Sequence, residues 1–235
     1  MGLCERCADK SSSNYHAWCH RQWVLQKAPY LLKYESRQSE KFIRKHIGDY
    51  SGYNHRQHVL TKLLETEFYE IETSNDYTTL WDYVISSLNL AQQTLPLSST
   101  KEQELMKIIL PNFCDSSCAR ESSKIKNKIQ SLLYCLNLAA YDLQLCKELK
   151  SMFGYREAFD CHRRAVLKFI VDNVLALDNA SSSEPQMKML KLSENQKEPN
   201  PFLNALREAE GKLSDTHKDW CHKFLGFDFA HTSTK

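Results

Sequence analysis

Four soft ligands lie close together near the start of the chain. Cys4-x-x-Cys7 is followed by His16 and then by Cys19 or His20, a set that a small structural zinc site can use. Half of that set also belongs to a repeated motif, so the spacing alone assigns no metal ligand. Cys114 with Cys118 is a weaker pair of the same kind. Nucleophilic catalysis needs a thiol or hydroxyl held against a base, and Cys161 and His162 are neighbours in sequence rather than a hydrogen-bonded pair. No glycine-rich phosphate loop occurs, and no residue is assigned a catalytic role.

The motif that absorbs these residues is a His-Arg pair followed by an aliphatic stretch. Its copies are Asn14-Tyr15-His16-Ala17-Trp18-Cys19-His20-Arg21-Gln22-Trp23-Val24-Leu25, then Tyr53-Asn54-His55-Arg56-Gln57-His58-Val59-Leu60, then Cys161-His162-Arg163-Arg164-Ala165-Val166-Leu167. A worn fourth copy is Trp220-Cys221-His222-Lys223-Phe224-Leu225. The first two pairs are 35 residues apart, the length of one helix-turn-helix unit, and such a period is the signature of a stacked helical array. On a helix Arg21 lies about a turn after Trp18, close enough to stack, and its planar fork can reach a carboxylate or free helix-end carbonyls of the adjacent unit. Asn14, Trp18, His20, Arg21, Trp23, Tyr53, His55, Arg56, His162, Arg163 and Trp220 are therefore read as packing residues of the repeat.

The elements that must position them are helical. Ser13 or Asn14 caps a helix that runs to Leu25, and Pro29 ends or bends it. A short amphipathic piece opens at Ser39 and stops near Gly48. Val59, Leu60, Leu63, Leu64 and Phe68 share a face between Tyr53 and Ile71. A helix follows from Tyr77 to about Leu90. Ile125, Ile129, Leu132, Leu133, Leu136, Ala140 and Leu143 form the longest apolar stripe, Gly154 stops it, and Tyr155 to Leu177 returns antiparallel. The whole of 1–235 reads as one all-α domain, an alpha-alpha superhelix of antiparallel pairs, with loop insertions at 93–121 and 178–201.

Composition agrees. Six Gly and six Pro are few for 235 residues, which favours extensive helix. The 31 basic and 29 acidic side chains give a formal charge of +2, so no footprint for nucleic acid or for an anionic membrane is visible. Nine scattered cysteines read as reduced thiols of a cytoplasmic protein, and no segment reads as a signal peptide or membrane span.

Asn14-Tyr15-His16-Ala17-Trp18 with His20-Arg21-Gln22-Trp23 resembles the repeat of protein prenyltransferase alpha subunits, Asn-Tyr-x-x-Trp-x-x-Arg with Trp shortly after. The second copy has lost the Asn-Tyr start, and its Ser51-Gly52-Tyr53 lead resembles a divergent branch of that family. The likeness is clearest over residues 5 to 64 and weaker near 155 to 170 and 215 to 226. It implies a right-handed crescent of helix pairs around a separate beta subunit, the Rab geranylgeranyltransferase type for the divergent branch. That partner holds zinc and most catalytic groups, and moves a farnesyl or geranylgeranyl group from its diphosphate to a C-terminal cysteine of a target protein. This chain would bind no cofactor of its own.

The resemblance places Tyr15 and His16 beside the diphosphate end of the shared cleft, where both can donate hydrogen bonds to phosphate oxygens. A helix cap with a packed aromatic is the alternative role for the same segment. The family's diphosphate-contacting lysine belongs to a repeat ahead of Asn14. A shortened or reduced array that depends on its partner for solubility is the expectation. The competing reading of the whole chain is a helical-repeat adaptor that binds other proteins and has no enzymatic role.

Overall fold

In a computed structural model of the chain, the described residues are 2–11, 14–66, 77–87, 101–111, 122–180 and 200–229. They are all-α, as expected from the sequence, with no strand among them. The helices are α1 (Gly2–Lys10), α2 (Tyr15–Lys27), α3 (Leu32–Lys45), α4 (Tyr50–Glu65), α5 (Thr78–Ser87), α6 (Lys101–Ile109), α7 (Ser122–Phe153), α8 (Glu157–Ala180), α9 (Pro201–Glu210) and α10 (Asp215–Leu225). One turn of 3-10 helix, Pro29–Leu31, joins α2 to α3.

The sequence treats 1–235 as a single domain, and the chain folds as two compact units. Residues 1–75 and 123–169 form the first, and 76–122 and 170–235 the second. In the first unit α3 packs on α4, and α2 contacts both α1 and α4. In the second, α9 packs on α5, α6 and α10.

Local chemistry sets the helix ends. Asn14 caps α2 by accepting from the Ala17 amide at 3.1 Å, and Asp49 caps α4 by accepting from Ser51 at 2.9 Å. Gly154 ends α7 at a φ of 72°, a left-handed conformation in which a side chain would be strained. Asn200 opens α9, accepting from the Phe202 amide at 3.0 Å and donating to the Ile109 carbonyl at 2.8 Å.

Two expectations are corrected. The helix read as opening at Ser39 opens at Leu32, because Glu35, Ser36 and Ser39 are buried polar residues that break the apolar period without breaking the helix. α6 occupies Lys101–Ile109, inside the segment 93–121 read as a loop insertion, and buries Leu105 and Ile109. Positions 93–100 and 112–121, most of 178–201 and residues 67–76 lie outside the described residues.

Among the described residues the core of the first unit includes three clusters. Ile43, Tyr53, Leu145, Leu149, Ala158 and Phe159 form one, with Leu25, Leu32, Val59, Leu63 and Cys135 as the second. Ala8, Trp18 and Phe42 close the α1 end. Burial pushes the Cys135 thiol up, which keeps it protonated and inert.

Candidate functional site

The first motif copy divides its residues between surface and core. Asn14 holds the entry to α2 at both ends of its amide, accepting from Ala17 and donating to the Cys7 carbonyl of α1 at 3.5 Å. That leaves Tyr15 and His16 on the first helical turn, both exposed, with their rings edge to face at 5.7 Å. A hydrogen bond with Cys19 raises the Tyr15 phenol above its ordinary value, so it remains a protonated donor at neutral pH. His20 and Trp23 also face solvent, stacked on each other at 5.6 Å.

Trp18 and Arg21 point the other way. The Trp18 ring meets Phe42 edge-on at 4.7 Å and lies against His55 at 4.8 Å. Arg21 sits 5.8 Å from the same ring and forks onto Glu35 of α3 with bonds of 2.5 and 2.9 Å. His55 of the second copy reaches that carboxylate from α4, Nε2 to Oε1 at 2.7 Å. Burial depresses the His55 pKa more than Glu35 raises it. The imidazole is therefore neutral, and its Nε2–H donates to the acceptor-only carboxylate. At Glu35 burial works to raise the pKa, and the His55 and Arg21 hydrogen bonds outweigh it, leaving the group ionised.

The pattern repeats one unit on. Arg56 places Nε 2.7 Å from Asp142 Oδ1 and Nη2 2.6 Å from the same oxygen. Its Nη1 donates to the Ser36 carbonyl and, at 3.2 Å, to Ser39 Oγ. His162 of the third copy places Nε2 3.4 Å from Asp142 Oδ2, and its Nδ1 receives Gln57 at 3.3 Å. Burial raises the Asp142 carboxyl, and the Arg56 charge, with His162 close by, overcomes it. Each buried carboxylate thus takes the Arg of one copy and the His of the next. Tyr53 packs between copies, 5.0 Å from His162 and 6.3 Å from Phe159. Arg163 is half-buried, and its Nη1 donates to the Leu143 carbonyl at 3.5 Å.

Glu35 and Asp142 were missed in the sequence because they belong to other helices, 14 and 86 residues from their arginines. The helix of the fourth copy holds a buried histidine of its own outside the motif. His222 donates to the Phe227 carbonyl at the end of α10, whereas the buried histidine is His217, 2.7 Å from buried Glu210. Trp220 stacks beside His217 at 6.4 Å. Cys221 lies 3.3 Å from the same His217 Nε2 that meets Glu210. A nucleophile and its orienting acid must use different ring nitrogens, so this cluster is packing rather than a catalytic triad. Among the described residues no group of three or more His, Cys, Asp or Glu side chains could hold a metal ion, and Cys4, Cys7, His16 and Cys19 do not converge as zinc ligands.

Comparison with known proteins addresses the α1–α2 pair directly. A model of the protein prenyltransferase alpha subunit repeat matches residues 1–28. Those residues are similar to a prenyltransferase alpha subunit repeat. It is similar to protein prenyltransferase alpha subunit repeat-containing protein 1 of Danio rerio, 25% identical over 170 residues, covering 71% of this chain and 32% of that relative. The form 1-B of Xenopus laevis is 27% identical over 193 residues, 79% of this chain and 36% of the relative. The Homo sapiens protein is 37% identical over a shorter stretch, 68 residues, 27% of this chain and 17% of the relative. The chain thus spans about a third of the length of the first two relatives. No solved structure matches it.

Proposed function

We propose that this chain is the alpha-type, non-catalytic partner in a heterodimeric protein prenyltransferase. One observation carries the reading. In the first copy the residues that a packing repeat needs, Trp18 and Arg21, are buried, while Tyr15 and His16 are left exposed on the first turn of α2. An exposed phenol and imidazole beside the free amides of a helix start suit an anionic oxygen. In the assembled enzyme they would hold the isoprenoid diphosphate through hydrogen bonds. The beta subunit, of the Rab geranylgeranyltransferase type, would supply zinc and the thiolate chemistry. The complex would work in the cytoplasm on proteins that end in cysteine.

A second reading, a helical-repeat adaptor without transferase activity, draws on the relays. Arg56, His55 and His162 are buried, so the histidine and arginine that answer to the first copy's motif are not offered to a ligand in the second copy, nor is the histidine in the third.

The test is co-expression with that beta subunit, followed by size-exclusion chromatography and transfer of labelled isoprenoid to cysteine-ending proteins. A heterodimer with transfer that neither subunit shows alone supports the proposal, and Tyr15→Phe with His16→Ala then lowers transfer while the complex persists. Absence of any complex sinks it in favour of the adaptor.

A further inference from the structure

Helix α3 carries Lys33, Arg37, Lys41 and Lys45, a basic residue at every fourth position. Residues spaced by four form one inclined ridge, here about 18 Å long at 1.5 Å per residue. Arg37, Lys41 and Lys45 are exposed and Lys33 is half-buried. Like charges at this spacing destabilise a helix; Lys33 lies over the Tyr134 ring at 5.9 Å, and no acid of α3 pairs with Arg37 or Lys41 among the described residues. Glu35 is turned inward onto Arg21 and His55, and Glu40 is held by Arg44 at 3.0 Å and by the Tyr141 hydroxyl. Asp9 of α1 pairs with Lys45 at 2.9 Å, so the unrelieved charge lies in the middle of the ridge. Arg37 and Lys41 form no ion pair or hydrogen bond among the described residues. Two large aromatics stand exposed at the N-terminal end of the ridge, Tyr30 at 77% and Tyr34 at 53%.

We infer that the exposed Arg37 and Lys41 of α3, with Tyr30 and Tyr34 toward its N-terminal end, dock an acidic polypeptide segment of a partner protein. Charge complementarity selects the occupant, because carboxylates spaced along a peptide meet the arginine fork and the lysine ammonium and remove the repulsion between them. The aromatic pair supplies an apolar anchor beside the charges, the usual makeup of an interface centre and rim. A single ridge on a chain of formal charge +2 lacks the broad positive field that a nucleic acid or an anionic membrane requires.

The experiment measures fluorescence anisotropy of a labelled Glu-rich peptide bearing one Phe against the whole chain, over a range of ionic strength. The wild type binds the peptide, and affinity falls as salt rises. Arg37→Glu with Lys41→Glu weakens binding by at least about tenfold, while the control Lys212→Glu with Lys223→Glu leaves it within about twofold. Arg37→Glu alone sets a carboxylate between Lys33 and Lys41, so circular dichroism shows a helix at least as stable as wild type, which separates lost docking from lost folding. Tyr34→Ala weakens binding without changing its salt dependence. Absence of peptide binding, binding that survives the double charge reversal, or tighter binding to phosphatidylserine vesicles than to the peptide overturns the inference.

Discussion

Glu35 is where the first two copies of the motif meet. It accepts from Arg21 and from His55 and is fully buried. Removing one member of a buried ion pair leaves the others charged or polar without a partner, which costs about 3–5 kcal/mol. Glu35→Ala is expected to lower the free energy of unfolding by about that amount in urea titration, and a loss below about 1 kcal/mol would mean the relay is not a keystone. Arg21→Met combined with Glu35→Leu removes both charges, so it should cost less than Glu35→Ala alone. Acid works on the same groups with a definite sign. The folded His55 has a depressed pKa, so below its unfolded value of 6.5 the unfolded chain binds a proton that the folded chain refuses. Glu35 and Asp142 are also lowered, and their stabilisation, present above the ordinary carboxyl range, is lost as pH falls through their folded values. Urea midpoints should therefore fall steadily from pH 7 to pH 5, and His55→Gln should flatten that slope. A slope unchanged in His55→Gln would remove His55 from the account.

At the level of the element, α4 comes close against α3 at Gly52. A Cβ there would lie 2.8 Å from Cδ1 of Phe42 and 2.9 Å from Cε1 of the same ring, and Phe42 is itself pinned under Trp18. Gly52→Ala should therefore cost about 1–3 kcal/mol by overpacking, whereas Gly48→Ala, with nothing within 4 Å, should stay within about 0.5 kcal/mol. Equal effects of the two substitutions in thermal unfolding would show that α3 and α4 are not in tight register. The contrast also shows what a sequence displays. The α2 cap at Asn14, the α7 stripe and the stop at Gly154 depend on neighbours within a few residues, and all were legible. The start of α3 was not, because a buried Glu35 looks like a surface acid until its partners from two other helices are seen. The same reason hid His217, whose buried partner Glu210 lies on the preceding helix. For the candidate site, the Asn14-Tyr15-His16 segment was visible as a motif, but only the fold separates exposed Tyr15 and His16 from buried Trp18 and Arg21.

For the whole molecule, neither compact unit is a continuous piece of chain. The first takes residues 1–75 and then 123–169, so the helices of its first two motif copies must wait for α7 and α8. Arg56 in particular is buried against Asp142, 86 residues downstream. A fragment ending at residue 122 retains the first two motif copies but leaves the Arg56 guanidinium facing the gap left by α7. It also strips Leu145, Leu149 and Phe159 from the core around Ile43 and Tyr53. Uncompensated buried charge and lost apolar burial act in the same direction, so this fragment should lack a cooperative unfolding transition. Adding the peptide 123–180 should restore protected amides in α3 and α4 by hydrogen exchange, and should fail to do so when it carries Asp142→Ala. If residues 1–122 unfold cooperatively alone, then the repeats stand as independent pairs and the buried Arg56–Asp142 bond is a late addition rather than a condition of folding.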